Sequence, residues 1–435
     1  SPETYVRDIG QRPTADEIIA GLYTNENIKE YMNKHNVSVC GSGAMYTKDF
    51  QGFLPKLMEK MYNERVKWKT KMIDAKKQYE KTKTKKLEYE IAKCNNMQMA
   101  KKIQLNSAYG ALGNQYFRFF DTKYAESITL SGQLSIKWME VKLNEFLNEK
   151  LKTENEDYVV AVDTDSLYVV LDKVIEESGI NTDDTQKVID FLDKISNEVL
   201  EPYIEKSYKE LANYTSAFEQ KMVMKRENIA DKAIWTGKKH YIMNVYDSEG
   251  VRYEEPKLKM MGIESVRSST PGVVRKAIKE ALNVLMKDGE MALREYVNDF
   301  EKEFCKMPFE DVAFPRGCRY VQKWTSASDI YKKGTPIHVR GALLYNKVIK
   351  DKKLDKKYNK INEGDKIKFC YMKLPNPMRE NVFAVSNVLP PEFGLEKYID
   401  YEKQFEKSFK DPLNTICEAI GWSIDKQATL DQFFV

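Results

Sequence analysis

The chain has 435 residues, with 70 Lys and Arg against 66 Asp and Glu, for a formal net charge of +4. That length supports two or three domains with a sizeable core. Six scattered cysteines (Cys40, Cys94, Cys305, Cys318, Cys370 and Cys417) contain no C-x-x-C pair, so neither zinc nor an iron–sulfur cluster is signalled and free thiols in a reducing compartment are expected. No long apolar stretch, signal peptide or lipidation motif is visible, so no membrane partner is expected.

Residues 1–51 are mixed in character, with Cys40-Gly41-Ser42-Gly43 as a turn signal. From 52 to about 106 the pattern becomes helical and Lys-rich; between 56 and 102 basic residues exceed acidic ones by about nine, a local field attractive to phosphate. Two antiparallel helices of roughly twenty residues, each about 30 Å long, are expected there. Lys81-Thr82-Lys83-Thr84 is their expected tip, a solvated turn. Arg65 and Lys69 share one helix face. Farther on, Lys102, Asn106 and Tyr109 lie at i, i+4 and i+7, so one face carries an ammonium, an amide and an aromatic ring. Such a face suits a nucleoside triphosphate, with Gly110 admitting a close approach of backbone or base. An amphipathic helix ending at a glycine is the plainer alternative.

From 113 to about 261, helices alternate with strands. Two apolar runs, 158–162 and 167–170, flank Asp163-Thr164-Asp165-Ser166, a pattern that predicts a β-hairpin with two carboxylates at its tip. Carboxylate oxygens are hard ligands, and paired divalent cations suit the in-line displacement of a phosphate oxygen. A solvated turn is the plainer reading of the same four residues. A further strand region covers 233–244. Past Gly262 the chain turns helical again, through Ser269-Thr270-Pro271, Lys276-Ala277-Ile278 and 293–304. Arg340-Gly341 and the Lys-rich run at 350–357 are candidates for phosphate contacts, a solvated face being an equal reading of the run.

Taken together these motifs resemble family B DNA polymerases. K-x-x-x-N-S-x-Y-G (Lys102 to Gly110) followed by a D-T-D-S hairpin is a pairing of two of that family's signatures. Further matches follow its order: R-x-x-x-K at Arg65 and Lys69, Glu227 in K-R-E, Lys238-Lys239-His240-Tyr241 as a variant of K-K-R-Y, and P-K-L-K-x-M-G-x-E from Pro256 to Glu264. The stretches N-S-A-Y-G-A-L-G-N, W-T-G-K-K and E-P-K-L-K-x-M-G resemble most the T-even-type bacteriophage branch. The resemblance implies an α+β right-hand polymerase: an antiparallel-sheet palm (1–51 and 111–265), helical-hairpin fingers (52–110) and a mainly helical thumb (266–426). It implies a soluble protein of the host cell cytoplasm that acts on primer–template DNA and deoxynucleoside triphosphates with two Mg²⁺ ions, or Mn²⁺ in their place.

By the same resemblance Asp165 bridges both metal ions, Asp163 is an accessory carboxylate, and Glu227 is a weaker metal candidate that either stands behind them or binds a metal transiently. Arg65, Lys69, Lys102 and Asn106 bind the triphosphate, and Tyr109 packs over the nascent base pair. Gly110, Lys238, Lys239, Tyr241, Lys257 and Lys259 contact DNA. A tail at 427–435 fits the sliding-clamp peptide Q-x-x-h-x-x-a-a, with Gln427, Leu430, Phe433 and Phe434 as anchors; a tail folded on its own core is the alternative. Two departures from the family pattern stand out. Ala161-Val162 replaces the usual Tyr-Gly, and His240 replaces Arg, which removes a permanent charge. The family's third aspartate, in D-x-x-S-L-Y-P-S, and its exonuclease signature are not found in these residues. The expectation is a C-terminal part active with a complementary N-terminal chain; the competing reading is a non-catalytic DNA-binding and clamp-tethering subunit.

Overall fold

The structure, a computed structural model, describes residues 1–326 and 330–424. It divides into two compact units, Ser1–Ala230 with Val245–Lys257, and Asp231–Asn244 with Leu258–Val435. The fold is α+β, and its paired strands are antiparallel wherever register is defined.

The first unit opens with β1 (Tyr5–Asp8), the short helices α1 (Ala15–Ile19) and α2 (Glu26–His35), then β2 (Val37–Val39) and β3 (Ala44–Thr47). The strands form a sheet in the order β1–β3–β2. Cys40-Gly41-Ser42-Gly43 is the turn between β2 and β3, as expected. A Cβ at Gly41 would stand 2.5 Å from the Leu130 carbonyl oxygen, so only glycine lets this turn lie so close to the helix that carries Leu130.

Two long helices follow, α3 (Phe53–Thr82) and α4 (Lys85–Leu112), joined at Lys83-Thr84, where Lys83 takes φ +48° and the Thr84 hydroxyl accepts from Leu87 N–H. The antiparallel pair and its tip match expectation. The helices are longer than expected, at 30 and 28 residues, because only Lys83 and Thr84 separate them and α4 also runs through Gly110; one helical glycine costs about 1 kcal/mol, too little to end a 28-residue helix. Their seam buries only Met72, Ala75, Cys94 and Gln98, with Leu112 at the base. Polar ties supplement it: Lys101 to Glu64 at 2.6 Å and Tyr79 Oη to Glu88 at 2.6 Å.

Next come α5 (Thr122–Leu151), β4 (Val159–Asp163), β5 (Ser166–Val169), α6 (Asp172–Ser178), α7 (Thr185–Ile195) and α8 (Glu201–Tyr214). Leu134, Met139 and Leu143 of α5 pack with Ile204, Tyr208 and Leu211 of α8, with Val159, and with Ile18, Tyr23 and Val39. Each buried side chain of this size contributes about 1.5–3 kcal/mol, so α5 is the spine on which the β4–β5 hairpin rests.

A sheet of β6 (Asn228–Gly237), β7 (His240–Ser248) and β8 (Val251–Met261), in that order, shares its residues between the two units. The second unit continues with α9 (Gly272–Lys287), α10 (Gly289–Phe304), α11 (Phe309–Val312), β9 (Phe314–Gly317), α12 (Val321–Trp324), α13 (Ile337–Asp351), β10 (Lys366–Tyr371), β11 (Val382–Val385), α14 (Tyr401–Phe405) and α15 (Asp411–Glu418). A π-helical turn, Glu406–Lys410, links the last two. The buried stripe of α9 (Val274, Ala277, Ile278, Ala281, Leu282, Leu285) has the 3.6-residue period that makes one apolar face. Helices dominate here as expected, but β9, β10 and β11 add an antiparallel sheet, β11–β10–β9, that the helical pattern did not reveal. Gly341 is buried on α13, where a Cβ would meet Ala384 Cβ at 2.9 Å, and Arg340 is engaged by Glu380 and Asn381. That pair therefore takes part in the packing of the unit, with Arg340 Nε left without a hydrogen-bond partner among the described residues.

Candidate functional site

The Asp163-Thr164-Asp165-Ser166 hairpin forms in the expected register, Asp163 opposite Ser166 and Val162 opposite Leu167. Thr164 and Asp165 make a two-residue loop, and Thr164 takes φ +59°. A positive φ at the first loop position is ordinarily given to glycine, and for a β-branched residue it stores roughly 1–3 kcal/mol of strain. The tip is closed by Asp165 N–H donating to the Asp163 carbonyl at 2.7 Å, and the Thr164 hydroxyl donates to Asp163 Oδ1 at 3.0 Å. Asp165 is exposed, Asp163 half-buried. Leu167 and Val169 pack on the core, whereas Val160, Val162 and Val170 stay 38–48% exposed.

What fixes the hairpin is a pair of residues the sequence reading missed. Asn144 Oδ1, on α5, accepts from Tyr158 N–H at 2.9 Å and Val159 N–H at 3.1 Å, while its amide donates to Asp157 at 2.9 Å. One turn along, Asn148 accepts from Glu156 N–H at 3.0 Å and donates to the Glu156 carbonyl at 2.8 Å. Two amides at i and i+4 thus act as a clamp on the entry to β4. An asparagine pair inside a helical run is the signal that was available.

Glu227 lies just before β6, exposed, its carbonyl accepting from Glu249 N–H at 2.6 Å. The preceding Arg226 is tied to Asp193 and to Asp247, which is fully buried; Arg252 Nε lies 2.6 Å from the second Asp247 oxygen, a charge contact without hydrogen-bond geometry. Two guanidiniums flank this buried carboxylate, so removing either would leave it a single cationic partner. Among the described residues no three His, Cys, Asp or Glu gather as a metal site, so Glu227 does not join the two hairpin aspartates in one cluster. The hairpin carboxylates fit Mg²⁺ in kind, since their oxygens are hard donors, and supply two of the ligands such an ion needs.

On α4, Lys102, Asn106 and Tyr109 share an exposed face, with Tyr109 43% exposed, as the spacing predicts. At Gly110 a Cβ would meet nothing within 4 Å, so the surface beside it is open. On α3, Arg65 is half-buried, and its Nε has no hydrogen-bond partner among the described residues. Lys69 instead pairs with Glu249 at the β7–β8 turn. Lys257 likewise bonds Glu80 of α3 at 2.7 Å and lies 3.7 Å above the Tyr253 ring. Burial raises the Glu80 carboxyl, and its bonds to Lys257 and Lys83 overcome that and hold it below the usual glutamate value.

In the second unit, Lys238 and Lys239 form the β6–β7 turn, Lys239 at φ +62°. Gly262, the glycine of P-K-L-K-x-M-G, lies beneath that turn at φ +73°; a Cβ there would stand 2.2 Å from the Lys239 carbonyl oxygen and 3.0 Å from the His240 ring. His240 Nε2 lies 2.7 Å from Arg267 Nη2 and its Nδ1 lies 2.8 Å from the Lys238 carbonyl, so the tautomer with a proton on Nδ1 satisfies both. A guanidinium thus stands beside the position where the family pattern has arginine. Tyr241 is 4% exposed against Trp235, and Lys259 is half-buried on β8. Gln427, Leu430, Phe433 and Phe434 lie outside the described residues. All six cysteines are unpaired, and no described helix is long and apolar enough to cross a membrane.

The chain is similar to known DNA polymerases. The chain is 31% identical over 490 aligned positions to the DNA-directed DNA polymerase of Enterobacteria phage T4 and 33% identical over 494 to that of Escherichia phage RB69, in each case covering 99% of this chain and 54% of the relative. A DNA polymerase of Pyrococcus glycovorans is 27% identical over 246 positions, covering 57% of this chain and 25% of that protein. The chain therefore spans about half the length of the phage relatives it matches. Residues 18–420 match the model of DNA polymerase family B, and the chain belongs to that family.

Proposed function

We propose that this chain carries the nucleotide-incorporating part of a DNA-directed DNA polymerase, with 1–51 and 111–265 as palm, 52–110 as fingers and 266–426 as thumb. The observation that carries the reading is the strained hairpin that presents Asp163 and Asp165 side by side at its tip. In the reaction the primer 3′-oxygen bonds to the α-phosphorus of a deoxynucleoside triphosphate, and the bond from that phosphorus to the pyrophosphate oxygen breaks. Asp165 and Asp163, with one further carboxylate from a D-x-x-S-L-Y-P-S segment outside these 435 residues, would hold two Mg²⁺ or Mn²⁺ ions, which would supply positive charge to offset the negative charge developing on the reacting oxygens. The valines left exposed on the hairpin suit burial beneath such a segment.

The chain's other residues position and neutralise. Lys102 and Arg65 bind the triphosphate, their positive charge neutralising its phosphates. Lys69 joins them by exchanging Glu249 for phosphate. Asn106 orients the nucleotide, and Tyr109 packs over its base above the open surface at Gly110. Glu227 acts from behind the metals, and Lys238 and Lys239 grip the primer. Tyr241, being buried, supports their turn from below. The tail at 427–435 is proposed to engage a sliding clamp, and the protein to act in the host cytoplasm.

Primer extension tests this reading. The 435-residue chain alone should not extend a primer, and adding a polypeptide that bears the D-x-x-S-L-Y-P-S segment should restore metal-dependent extension. In that mixture Asp165→Asn should remove extension by several orders of magnitude while primer–template binding stays within a few-fold. Robust extension by the chain alone would refute the shared site, and extension indifferent to Asp165→Asn would refute the hairpin's role.

A further inference from the structure

The C-terminal half of α3 is tied to the β7–β8 hairpin by charge. None of the hydrophobic clusters among the described residues includes a side chain of α3 or α4. Two ion pairs make the connection instead: Lys69 with Glu249, and Glu80 with Lys257 at 2.7 Å. Positions 69 and 80 are about 16 Å apart along the helix axis, so the two pairs hold α3 at separate points. A third cation, Lys77 Nζ, stands 3.0 Å from where a Cβ at Gly250 would lie.

The turn that offers Glu249 is firmly held. Glu249 and Gly250 form its two-residue loop at φ +53° and +80°, a conformation whose first position ordinarily goes to Asn, Asp or Gly. Glu249 N–H donates to the Glu227 carbonyl at 2.6 Å, and Gly250 N–H donates to the buried Asp247 carboxylate at 2.9 Å. A residue type that the turn disfavours, fixed at that position, points to a role for its side chain, and that side chain meets Lys69. Both ion pairs are open to solvent, with side chains 24–38% exposed in the first and 23–55% in the second. Pairs this exposed are weak and readily exchanged, which suits a fastening that opens and closes.

We propose that Glu249 and Glu80 are positioning residues that limit nucleotide affinity. They fasten α3 to the β7–β8 hairpin, and a deoxynucleoside triphosphate binds by drawing Lys69 away from Glu249, the Glu80–Lys257 pair parting as α3 moves. The ammonium that neutralises phosphate in the bound state is neutralised by Glu249 in the free state, so the nucleotide replaces one anionic partner by another. A chain that is mostly fastened binds with an apparent dissociation constant raised by the inverse of its unfastened fraction. The inference rests on the reading of Lys69 as a triphosphate ligand and adds the two carboxylates that oppose it.

The test is equilibrium binding of a fluorescent deoxynucleoside triphosphate to the full 435-residue chain at fixed ionic strength. Glu249→Gln and Glu80→Gln should each tighten binding about threefold, the scale of one exposed ion pair. Charge reversal separates a fastening from a simple field. Lys257→Glu adds negative charge, which as a field alone weakens binding of a triphosphate, whereas a broken fastening tightens it. Combining Lys257→Glu with Glu80→Lys re-forms the pair and should return binding to that of the parent; melting curves matching the parent exclude a folding defect. Parent-like binding in both Gln variants, or shifts that follow only the sign of the added charge, would overturn the proposal. Tightening confined to Glu249→Gln would overturn it too, since Lys69 would then swing without its helix. If Lys69→Gln weakens binding while both Gln variants match the parent, the fastening alone fails and Lys69 keeps its phosphate. Binding to Lys69→Gln as tight as to the parent would sink the reading of Lys69 itself.

Discussion

Two of the hairpins among the described residues, β4–β5 and β6–β7, carry at their tips a residue other than glycine at positive φ, and they reach that conformation by opposite means. At Thr164 (φ +59°) a β-branched residue occupies the strained position itself, and the strand leading to it is clamped from α5 by Asn144. At Lys239 (φ +62°) the turn is supported from below by Gly262, whose missing side chain leaves room for the Lys239 carbonyl and the His240 ring. The first turn presents two carboxylates, the second two ammonium groups. In each, the residues that meet the substrate in the proposed reaction sit at the tip, and the residue that makes the tip possible lies many positions away.

The comparison predicts its largest effect at Gly262. Gly262→Ala places a methyl group 2.2 Å from a backbone oxygen in a backbone conformation that alanine rarely adopts. Clash and strain together should cost roughly 3–5 kcal/mol. Thermal unfolding of the purified chain measures it, and a loss below about 1 kcal/mol would mean that the turn moves freely and Gly262 does not support it.

Asn144 comes next. Asn144→Leu keeps the volume but leaves the amides of Tyr158 and Val159, both on 3% exposed residues, without their acceptor. A buried orphan costs about 1–3 kcal/mol, so a loss of roughly 2–4 kcal/mol is expected. Asn144→Asp retains the acceptor while setting a carboxylate against Asp157, and should fall between parent and Leu. Hydrogen exchange at Tyr158 and Val159 should accelerate in Asn144→Leu; unchanged protection there would refute the clamp.

These two residues show what could be read in advance. The D-T-D-S hairpin, the long helical pair, its turn at Lys83 and the exposed Lys102–Asn106–Tyr109 face were legible because each is written in local spacing: period two beside an acidic loop, or i, i+4, i+7 on one helix. Asn144 and Gly262 were not, because their work is done across 14 and 23 positions of chain, by an amide reaching a strand and by an absent side chain beneath a turn. Lys69 and Lys257 were legible as cations, but the carboxylates that hold them, Glu249 and Glu80, lie 180 and 177 positions away in sequence and carry no local mark. The sheet β11–β10–β9 escaped because strands of four to six residues, two of them apart from any hairpin signal, leave little periodicity to read.

The smallest effect is expected at Thr164, where the comparison can be inverted. Thr164→Gly gives the first hairpin the residue that its φ of +59° favours, and the relief of strain should outweigh the added freedom of the unfolded chain by up to about 1 kcal/mol. The change also removes the hydroxyl that donates to Asp163 Oδ1 at 3.0 Å. Stability and function should therefore separate: the melting temperature rises slightly, while extension by the reconstituted enzyme falls because Asp163 loses a group that orients it. A variant that is both more stable and fully active would show that Thr164 is an incidental occupant of the turn. One that is less stable would show that the packing of its methyl group outweighs the strain. Only the combination of higher stability with lower activity fits a turn whose strain is kept because it aims a carboxylate.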